Sequence, residues 1–472
     1  MNVIIFMADQ YAHPFLGCAG YPGLKTPTYD RLAADGLRFT QATCAVSPCL
    51  PTRHSMLHGL YAFQSGIYTN RHLMSVDDIP EWSMGKAFKK AGYVTGAYGK
   101  MHLTPYQADV ERGSYYGFDH RAGPFHETGE RMDSHFVEAH RDWAETIAGE
   151  RESQGIGQGG DDCAAAFLGY TSNLPLEKTR DWFACSQAAD FVDAYKDESF
   201  FLMCSLSGPH APHAVPADYA DLYDPDEIEL PPEPPDDLPD REAYPQYAGL
   251  EREDLRTAIA NYMAFVTACD FCHGQVIAAL DRHGLYDDML ILFVGDHGEL
   301  LGSRGVTSFS KYNLYEQAIR IPFILKPPKS FGSGFGTCND LVNLLDVLPT
   351  VFDIAGLETP GHLPGISLKP LLANEPAARE REIALTELGL PKGLFHSIRT
   401  QDWKYIHGPH GPELYHLRED PWEFKNLAED PSCVSQIASL QNGFGDECRW
   451  AFDQGSKMRL GYETRPWGVL TL

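Results

Sequence analysis

The sequence predicts an α/β fold in which a mixed, mostly parallel sheet carries helices on both faces, followed by a smaller C-terminal α+β domain. Three observations support this prediction: short apolar runs that end in polar residues, amphipathic segments between those runs, and a change of pattern beyond about Pro370. The chain has 472 residues, 43% of them hydrophobic, which is enough to bury a large core. A boundary near Glu380 gives an α/β domain of residues 1–380 and a C-terminal α+β subdomain of residues 381–472.

Four apolar runs have the composition of buried parallel strands. "VIIFMADQ" ends at Asp9 and Gln10, "GYVTGAYGKMH" at Lys100 and His102, "SFFLMCSLSGPH" at His210, and "DDMLILFVGDHGE" is closed by Asp296 and His297. The runs show little alternation and are flanked by helical patterns, so we interpret them as strands covered on both faces. Ligands of open α/β sheets bind beyond the carboxyl ends of the strands, and we therefore expect these polar side chains to form one site.

Helical patterns separate the predicted strands. "TPTYDRLAADGLRF" begins with Thr-Pro and stops at a glycine, "WSMGKAFKKAGY" is amphipathic, and a long helical pattern ends at Gly284. The segment from Ala148 to Asn173 predicts an inserted loop, and "DPDEIELPPEPPDDLPD" predicts an extended acidic connection. The run "CDFCH", from Cys269 to His273, matches a haem-attachment pattern. It lies inside the long helix without a second cysteine pair, which favours core packing.

The composition argues against several classes of protein. Asp and Glu outnumber Lys and Arg by 65 to 38, and the resulting net charge of −27 argues against a nucleic-acid partner. No signal peptide is evident after Met1, and no apolar stretch approaches the ~20 residues that span a bilayer, so we expect no membrane partner. The 11 scattered cysteines indicate reduced thiols and predict a cytoplasmic location. The sequence leaves the oligomeric state open, including a homo-oligomer.

The stretch "SPCLPTRHSMLHG", from Ser47 to Gly59, places a cysteine at the mouth of a helix. Pro51 suits the first helical position, so Cys49 would lie just before the helix, among free N–H groups and the positive end of its dipole. This setting predicts a lowered thiol pKa. Arg53 can point back to the same spot and bind a tetrahedral oxyanion. The short spacing from Cys49 to Arg53 excludes the cysteine-phosphatase pattern.

The five residues "CLPTR" resemble the maturation signal of the sulfatases, a branch of the alkaline-phosphatase superfamily. Further motifs stand in the family's order. "MADQ" resembles its first metal motif, "GYVTGAYGKMH" its second signature, "PHAPH" its His-x-Pro element, and "GDHGELLGSRGVTSFSKYNLYE" its second metal motif with the following lysine. The region from "WKYIHG" to "FKNLAED" resembles the family's C-terminal domain. The resemblance covers essentially the whole chain and implies an alkaline-phosphatase-like fold and hydrolysis of a sulfate monoester.

The resemblance also implies two cofactors and a set of site residues. In sulfatases a maturation enzyme oxidises the cysteine to formylglycine, whose hydrate attacks sulfur with one hydroxyl and releases sulfate with the help of the other. The implied cofactors are this formylglycine, derived from Cys49, and one divalent metal ion, Ca²⁺ or Mn²⁺. The implied metal ligands are Asp9, Gln10, Asp296, His297 and the modified side chain of Cys49. The implied catalytic residues are Cys49, Arg53, Lys100, His102, His210 and Lys311. Asn70, Lys100, His210 and Lys311 would bind the substrate, a small sulfated or phosphonate-type anion.

The chain departs from the commonest sulfatase pattern at three positions. Gln10 stands where many members have aspartate, His297 where they have asparagine, and Thr52 replaces the commoner serine. An imidazole among oxygen ligands shifts the metal preference from calcium toward manganese or another transition ion. The Asp-Gln and Asp-His pairs are shared with choline sulfatases and phosphonate monoester hydrolases, which are the nearest branches. Two alternatives stay open: a phosphonate monoester or phosphodiester hydrolase on the same scaffold, and an unmodified binding protein.

Overall fold

The computed structural model describes residues 1–70, 79–103, 116–122, 164–236, 250–305, 309–373 and 381–455, with a few isolated residues between these ranges. Residues 148, 151 and 154–163 of the predicted inserted loop, residues 148–173, lie outside the described residues. Its last part is not simply a loop, because it forms a short helix, Ala164–Leu168, and a short strand, Tyr170–Thr171. The predicted boundary near Glu380 also lies outside them and stays a prediction.

A large mixed sheet forms the centre of the described structure. Its strands, in spatial order, are β11 (Gly336–Asn343), β2 (Leu37–Thr43), β10 (Phe323–Lys326), β9 (Leu290–Gly295), β1 (Val3–Ala8), β7 (Phe200–Ser205), β4 (Val94–Gly99) and β5 (His120–Ala122). Strand β10 runs antiparallel to β9 and β2, whereas the other pairings within this sheet are parallel. The prediction of a mostly parallel sheet is confirmed. The four strands expected from the apolar runs are consecutive neighbours, so their carboxyl ends lie together.

Helices cover both faces of this sheet because its central strands are apolar at every position. The helices are α1 (Pro27–Asp35), α2 (Cys49–His58), α3 (Ala62–Ser65), α4 (Met84–Lys90), α5 (Ala164–Leu168), α6 (Arg180–Tyr195), α7 (Asp254–Arg282), α8 (Glu316–Ile319), α9 (Val347–Ala355) and α10 (Val434–Gly455). In β1, Val3, Ile5 and Met7 lie in one apolar cluster, with residues of α2, α4 and α9. Ile4 and Phe6 lie in a second cluster, with residues of α1, α6 and α7. This alternation follows from the two-residue period of a strand.

Helix α7 is a core helix, and it contains the "CDFCH" run. Cys269, Cys272 and His273 are buried in it, and the His273 ring nitrogens contact the Tyr29 hydroxyl at 2.9 Å and the Cys204 carbonyl at 3.3 Å. The prediction of core packing is confirmed. By length and composition α7 could cross a membrane, but 72% of its most apolar window is buried inside the protein. The cysteines that the structure describes are all unpaired, and most of them are buried, as predicted.

A second sheet contains the C-terminal strands. Its order is β15 (Gly411–His416), β14 (Trp403–Gly408), β13 (Gly393–Arg399), β12 (Ala384–Leu390) and β3 (Val46–Ser47). The four C-terminal strands form an antiparallel meander, and α10 packs against it, which agrees with the predicted α+β character. Strand β3, directly before Cys49, pairs in parallel with β12. The C-terminal sheet therefore supports the segment that carries Cys49. A short pair of strands, β6 (Tyr170–Thr171) and β8 (Ala214–Val215), lies apart from both sheets.

Buried charges join the C-terminal sheet to the α/β core at Glu316, the first residue of α8. The Glu316 carboxylate accepts hydrogen bonds from Arg399 Nε at 3.0 Å and Lys404 Nζ at 3.3 Å. Lys404 also pairs with Glu423 at 2.7 Å, and Glu423 accepts the backbone N–H of Glu316 at 2.7 Å. Burial alone would raise the pKa of Glu316, but Arg399 and Lys404 hold it well below its usual range. All four side chains are buried, so each charge depends on its partners.

Removing Glu316 should destabilise the fold. We expect Glu316→Leu to lower the free energy of unfolding by about 3–5 kcal/mol, because Arg399 and Lys404 would stay buried without their shared partner. Denaturant unfolding followed by circular dichroism measures this loss. Arg449→Ala is the control, since it breaks an exposed pair with Asp446 at 2.8 Å and should cost less than about 1 kcal/mol. Equal effects of the two variants would contradict the role given to the buried cluster.

Candidate active site

Two buried carboxylates, Asp9 and Asp296, directly follow the neighbouring strands β1 and β9. Arg53 of α2 binds both of them: its Nη2 lies 3.0 Å from Asp9 Oδ2, and its Nε lies 2.9 Å from Asp296 Oδ2. Its Nη1 donates to the Ser205 hydroxyl at 2.8 Å and to the Lys100 carbonyl. The Lys100 ammonium pairs with Asp9 Oδ2 as well. Two carboxylates and two cationic side chains are thus packed together, and all four are buried.

These contacts keep Asp9 ionised. Burial would raise the pKa of this carboxyl, but Lys100, His210 and Arg53 lower it well below its usual range. Burial would likewise lower the pKa of Arg53, yet Asp296 and Asp9 raise it above its ordinary value. Both groups therefore carry their charges at neutral pH.

The second oxygen of each carboxylate faces a shared point beside His297. His297 Nε2 lies 3.8 Å from Asp9 Oδ1, 3.7 Å from Asp296 Oδ1 and 3.0 Å from Cys49 Sγ. Its Nδ1 donates to the Gly298 carbonyl at 3.0 Å, which leaves the lone pair on Nε2.

The donor set fits a divalent cation. The ligand atoms of Asp9, Cys49, Asp296 and His297 all lie within 4.8 Å of one another. Carboxylate oxygens and an imidazole nitrogen with a fixed tautomer suit an ion such as Mn²⁺. The structure thus brings together four of the five residues implied as metal ligands.

Gln10, the fifth, adjoins this cluster and is held in an uncommon backbone conformation. Its φ is 56°, a left-handed value that few non-glycine residues adopt. The backbone N–H donates to Asp296 Oδ1 at 2.9 Å, and the Tyr262 hydroxyl donates to the Gln10 carbonyl at 2.8 Å. The side-chain oxygen accepts from Lys311 Nζ at 3.2 Å, and the amide nitrogen donates to Glu299. Backbone strain of this kind persists where the surroundings fix it, as they do here.

Helix α2 begins earlier than predicted. Cys49 is its first residue, rather than the residue before it, and Pro51 is the third. Pro48 is extended and precedes the helix, and its carbonyl accepts the N–H of Thr52 at 3.2 Å. A proline is tolerated throughout a first turn because N–H groups there have no acceptor within the helix.

The predicted low pKa of the Cys49 thiol is wrong for the unmodified residue. Burial and Asp9 raise its pKa to about 12, although Lys311 and Lys100 act in the opposite direction. The side chain is completely buried, and the loss of water outweighs the expected effect of the helix N-terminus. A thiol of this kind is a poor nucleophile at neutral pH.

Two basic side chains, Lys311 and His210, lie beside Cys49. Lys311 Nζ lies 3.4 Å from Cys49 Sγ and is in hydrogen-bond contact with His210 Nε2. His210 Nδ1 donates to the carbonyl of Ala211 at 2.6 Å, so its Nε2 is the atom turned toward Lys311. Lys311 and His210 are buried, as is Lys100 across the site. The arrangement can attract an oxyanion and exchange a proton beside residue 49.

Asn70 and His102 are the remaining predicted site residues, and Asn70 contacts the start of helix α2. Asn70 Oδ1 accepts the backbone N–H of Leu50 at 3.0 Å, next to Cys49, and its Nδ2 lies 3.4 Å from the Tyr312 hydroxyl. His102 is buried two residues beyond Lys100, with a left-handed φ of 47°. Asn70 therefore supports the turn that presents Cys49, a contact that its position in the sequence did not predict.

Comparison with known proteins decides the family. Residues 1–357 match the sulfatase family model, and residues 305–447 match the model of the C-terminal region of N-sulphoglucosamine sulphohydrolase. The chain belongs to the sulfatase family. This membership confirms the resemblance found in the motifs and assigns the chain to the hydrolases of sulfuric esters.

Individual sulfatase relatives match over most of their length. An ulvan-active sulfatase of Formosa agariphila is 27% identical over 450 residues, which cover 93% of this chain and 79% of the relative. A choline-sulfatase of Rhizobium meliloti is 28% identical over 461 residues, covering 93% and 84%. The solved phosphonate monoester hydrolase of Agrobacterium radiobacter superposes with a TM-score of 0.76 at 21% identity, covering 96% of this chain and 95% of that one. This last likeness shows an alkaline-phosphatase-like fold.

Three residues of this sulfatase site were missed by the sequence analysis. Glu299 contacts Gln10, and the Ser205 hydroxyl accepts from Arg53. Asp181 accepts the backbone N–H groups of residues 207 and 208, at 2.8 and 2.9 Å, in the turn before His210. Glu299 stands inside the quoted "GDHGE" run and could have been singled out there. Asp181 lies on α6, far from every motif, and only the tertiary structure connects it to the site.

Removing the Asp296 carboxylate should remove the metal. We expect Asp296→Asn to lose most of the bound ion, because the site would lose a charged ligand while Arg53 keeps its positive charge next to it. Elemental analysis of the protein after gel filtration measures the ion content. Asp287→Asn, at an exposed carboxylate shortly before the same strand, is the control and should keep the wild-type content. Wild-type metal content in Asp296→Asn would place the metal elsewhere.

Proposed function

We propose that this sulfatase hydrolyses a sulfate monoester by means of a formylglycine derived from Cys49 and one divalent metal ion. One observation carries the proposal. Cys49 Sγ lies 3.0 Å from His297 Nε2 and 3.6 Å from Asp9 Oδ1, so the side chain of residue 49 shares a site with the metal-binding residues. A buried thiol with a raised pKa suits a precursor that must be converted before it can react.

Asp9, Gln10, Asp296 and His297 would hold the ion, with residue 49 beside it. The ion, Ca²⁺ or Mn²⁺, would supply Lewis-acid charge next to residue 49. The hydrated aldehyde would supply the nucleophile and, unlike a serine, a second hydroxyl with which to release sulfate.

The protein's own side chains bind the anion and move the proton. Lys311, in contact with residue 49, and Lys100, paired with Asp9, offer positive charge near residue 49, and the burial of both strengthens their attraction for an oxyanion. His210 is oriented by the Ala211 carbonyl, so its Nε2 can take a proton from Lys311 and pass it to the departing alcohol oxygen. Arg53 keeps both carboxylates in place and does not need to touch the substrate.

The maturation enzyme would have to act before the chain folds. Cys49 and Arg53 are completely buried, and the residues between them are buried too, with Leu50 only 3% exposed. An enzyme that reads the "CLPTR" segment therefore needs an unfolded or nascent chain.

A phosphonate monoester or phosphodiester hydrolase is the second candidate. Gln10 and His297 are compatible with it, because the resemblance links these residues to that branch as well as to choline sulfatases. A sulfate monoester and a phosphonate monoester are both tetrahedral and singly charged, so the positive charge of the site does not separate them. An unmodified binding protein is a third candidate, and the chemical state of residue 49 distinguishes it from both.

Active protein should carry an aldehyde at residue 49. We expect the tryptic peptide that contains this residue to have the mass of formylglycine, and Cys49→Ala to lose its turnover because no nucleophile remains. Peptide mass spectrometry and an ester assay on the same preparation measure both. Cys18→Ala, at a half-buried cysteine outside the site, is the control and should stay active. Full activity with an unmodified thiol would refute the mechanism.

The transferred group should set the order of substrates, with sulfate first because the motifs match sulfatases most broadly and the doubly charged phosphate monoester last. We expect kcat/KM to fall from a sulfate monoester, through a phosphonate monoester or phosphodiester, to a phosphate monoester. A phosphate monoester carries nearly two negative charges instead of one, and slow departure of its more highly charged product should lower kcat as well. Nitrophenyl esters that share one leaving group provide the measurement. A faster phosphonate would favour the second candidate, and a faster phosphate monoester would contradict both.

A further inference from the structure

Glu299 is a buried acid beside the metal-binding residues that the proposed chemistry leaves without a role. It lies two residues after His297 and is 1% exposed. Its Oε2 accepts a hydrogen bond from the side-chain nitrogen of Gln10, and its Oε1 accepts the N–H of Leu301 at 3.3 Å. The backbone N–H of Glu299 donates to the Gln317 carbonyl at 3.0 Å. The carboxylate and the loop that carries it are therefore both fixed.

The backbone of Gln10 is held by hydrogen bonds on both sides, so the orientation of its side-chain amide is the feature that remains to be set. Asp296 holds its backbone N–H and Tyr262 holds its carbonyl, at 2.9 and 2.8 Å. A terminal amide can turn by half a rotation and exchange its oxygen and nitrogen with almost no change of shape. The oxygen can ligate a cation, whereas the NH₂ group would point hydrogens at it. The direction of the amide thus decides whether Gln10 can serve the metal.

We propose that Glu299 positions Gln10 for the metal by binding its amide nitrogen and turning Oε1 away from itself. This inference rests on the proposed function, since it concerns the metal site of the same reaction. The contact with Lys311 supports the same orientation of the Gln10 amide, because Lys311 Nζ lies 3.2 Å from Gln10 Oε1. A carboxylate can only accept and an ammonium can only donate, so the two charges select the same orientation.

The Gln10–Glu299 pair also explains the departure from the aspartate that many sulfatases have at position 10. An acid there would set two acceptors against each other, and neither would offer a hydrogen. An amide instead accepts a hydrogen bond from Lys311 through its oxygen and donates one to Glu299 through its nitrogen.

Metal titration of two nearly isosteric variants tests the proposal. Metal-stripped, full-length wild type, Glu299→Gln and Glu299→Met are titrated with Mn²⁺ by calorimetry. We expect Glu299→Met to weaken Mn²⁺ binding by about 10–100-fold, the usual cost of losing a residue that orients a ligand. Glu299→Gln keeps one acceptor oxygen, which can face Gln10 at the cost of the 3.3 Å contact with Leu301, and should lose clearly less affinity than Glu299→Met. In a Gln10→Ala background, Glu299→Met should cause no further loss.

The outcomes separate this inference from the proposed function. Wild-type affinity in Glu299→Met, equal losses in both variants, or a full further loss in the Gln10→Ala background would each overturn the positioning role. Wild type that binds neither Mn²⁺ nor Ca²⁺ would instead refute the metal site and the proposed function. Thermal melts without added metal check folding. If Glu299→Met does not fold, Glu299→Asp replaces it, since its shorter side chain cannot reach Gln10 and the same weakening is expected.

Discussion

A single buried guanidinium sets the geometry of the whole site. Arg53 binds the Oδ2 atoms of Asp9 and Asp296, which would otherwise repel each other at the ends of neighbouring strands. With these oxygens engaged, the two Oδ1 atoms are left facing His297 Nε2 and the side chain of Cys49. The direction of the oxygens proposed to bind the metal is therefore a consequence of one ion-pair triad. That triad is buried completely, so its geometry depends on all three members.

The spacing of "CLPTR" has a physical basis in this triad. Cys49 and Arg53 are four residues apart at the start of α2 and so lie on one face of the helix, one turn apart. Thr52, between them, donates from its hydroxyl to the Asp296 carbonyl at 3.3 Å, and Asn70 holds the N–H of Leu50 at 3.0 Å. One helical turn thus carries the predicted nucleophile precursor and the cation that orients the metal ligands. The C-terminal sheet supports the same turn through the pairing of β3 with β12.

Much of the site could be predicted because its residues follow strands with strong local patterns. Asp9, Lys100 and Asp296 follow buried apolar runs. A parallel sheet places the carboxyl ends of its strands at the same edge, regardless of the conformation of the loops. The thiol pKa was predicted wrongly because dipole and charge are visible in a sequence while complete burial is not. Asp181 was missed for a similar reason, since it reaches the site only through the packing of α6 on the sheet. The domain boundary, the cytoplasmic location and the roles of individual residues stay predictions.

The central claim is that Cys49 and the metal-binding residues form one site organised by Arg53. Anomalous diffraction from crystals of active protein soaked in Mn²⁺ tests it most directly. The account predicts one peak at about 2.0–2.6 Å from oxygens of Asp9 and Asp296, Nε2 of His297, Oε1 of Gln10 and the oxidised side chain of residue 49. A metal peak away from these side chains, or one flanked by an intact thiol in protein of full activity, would contradict it.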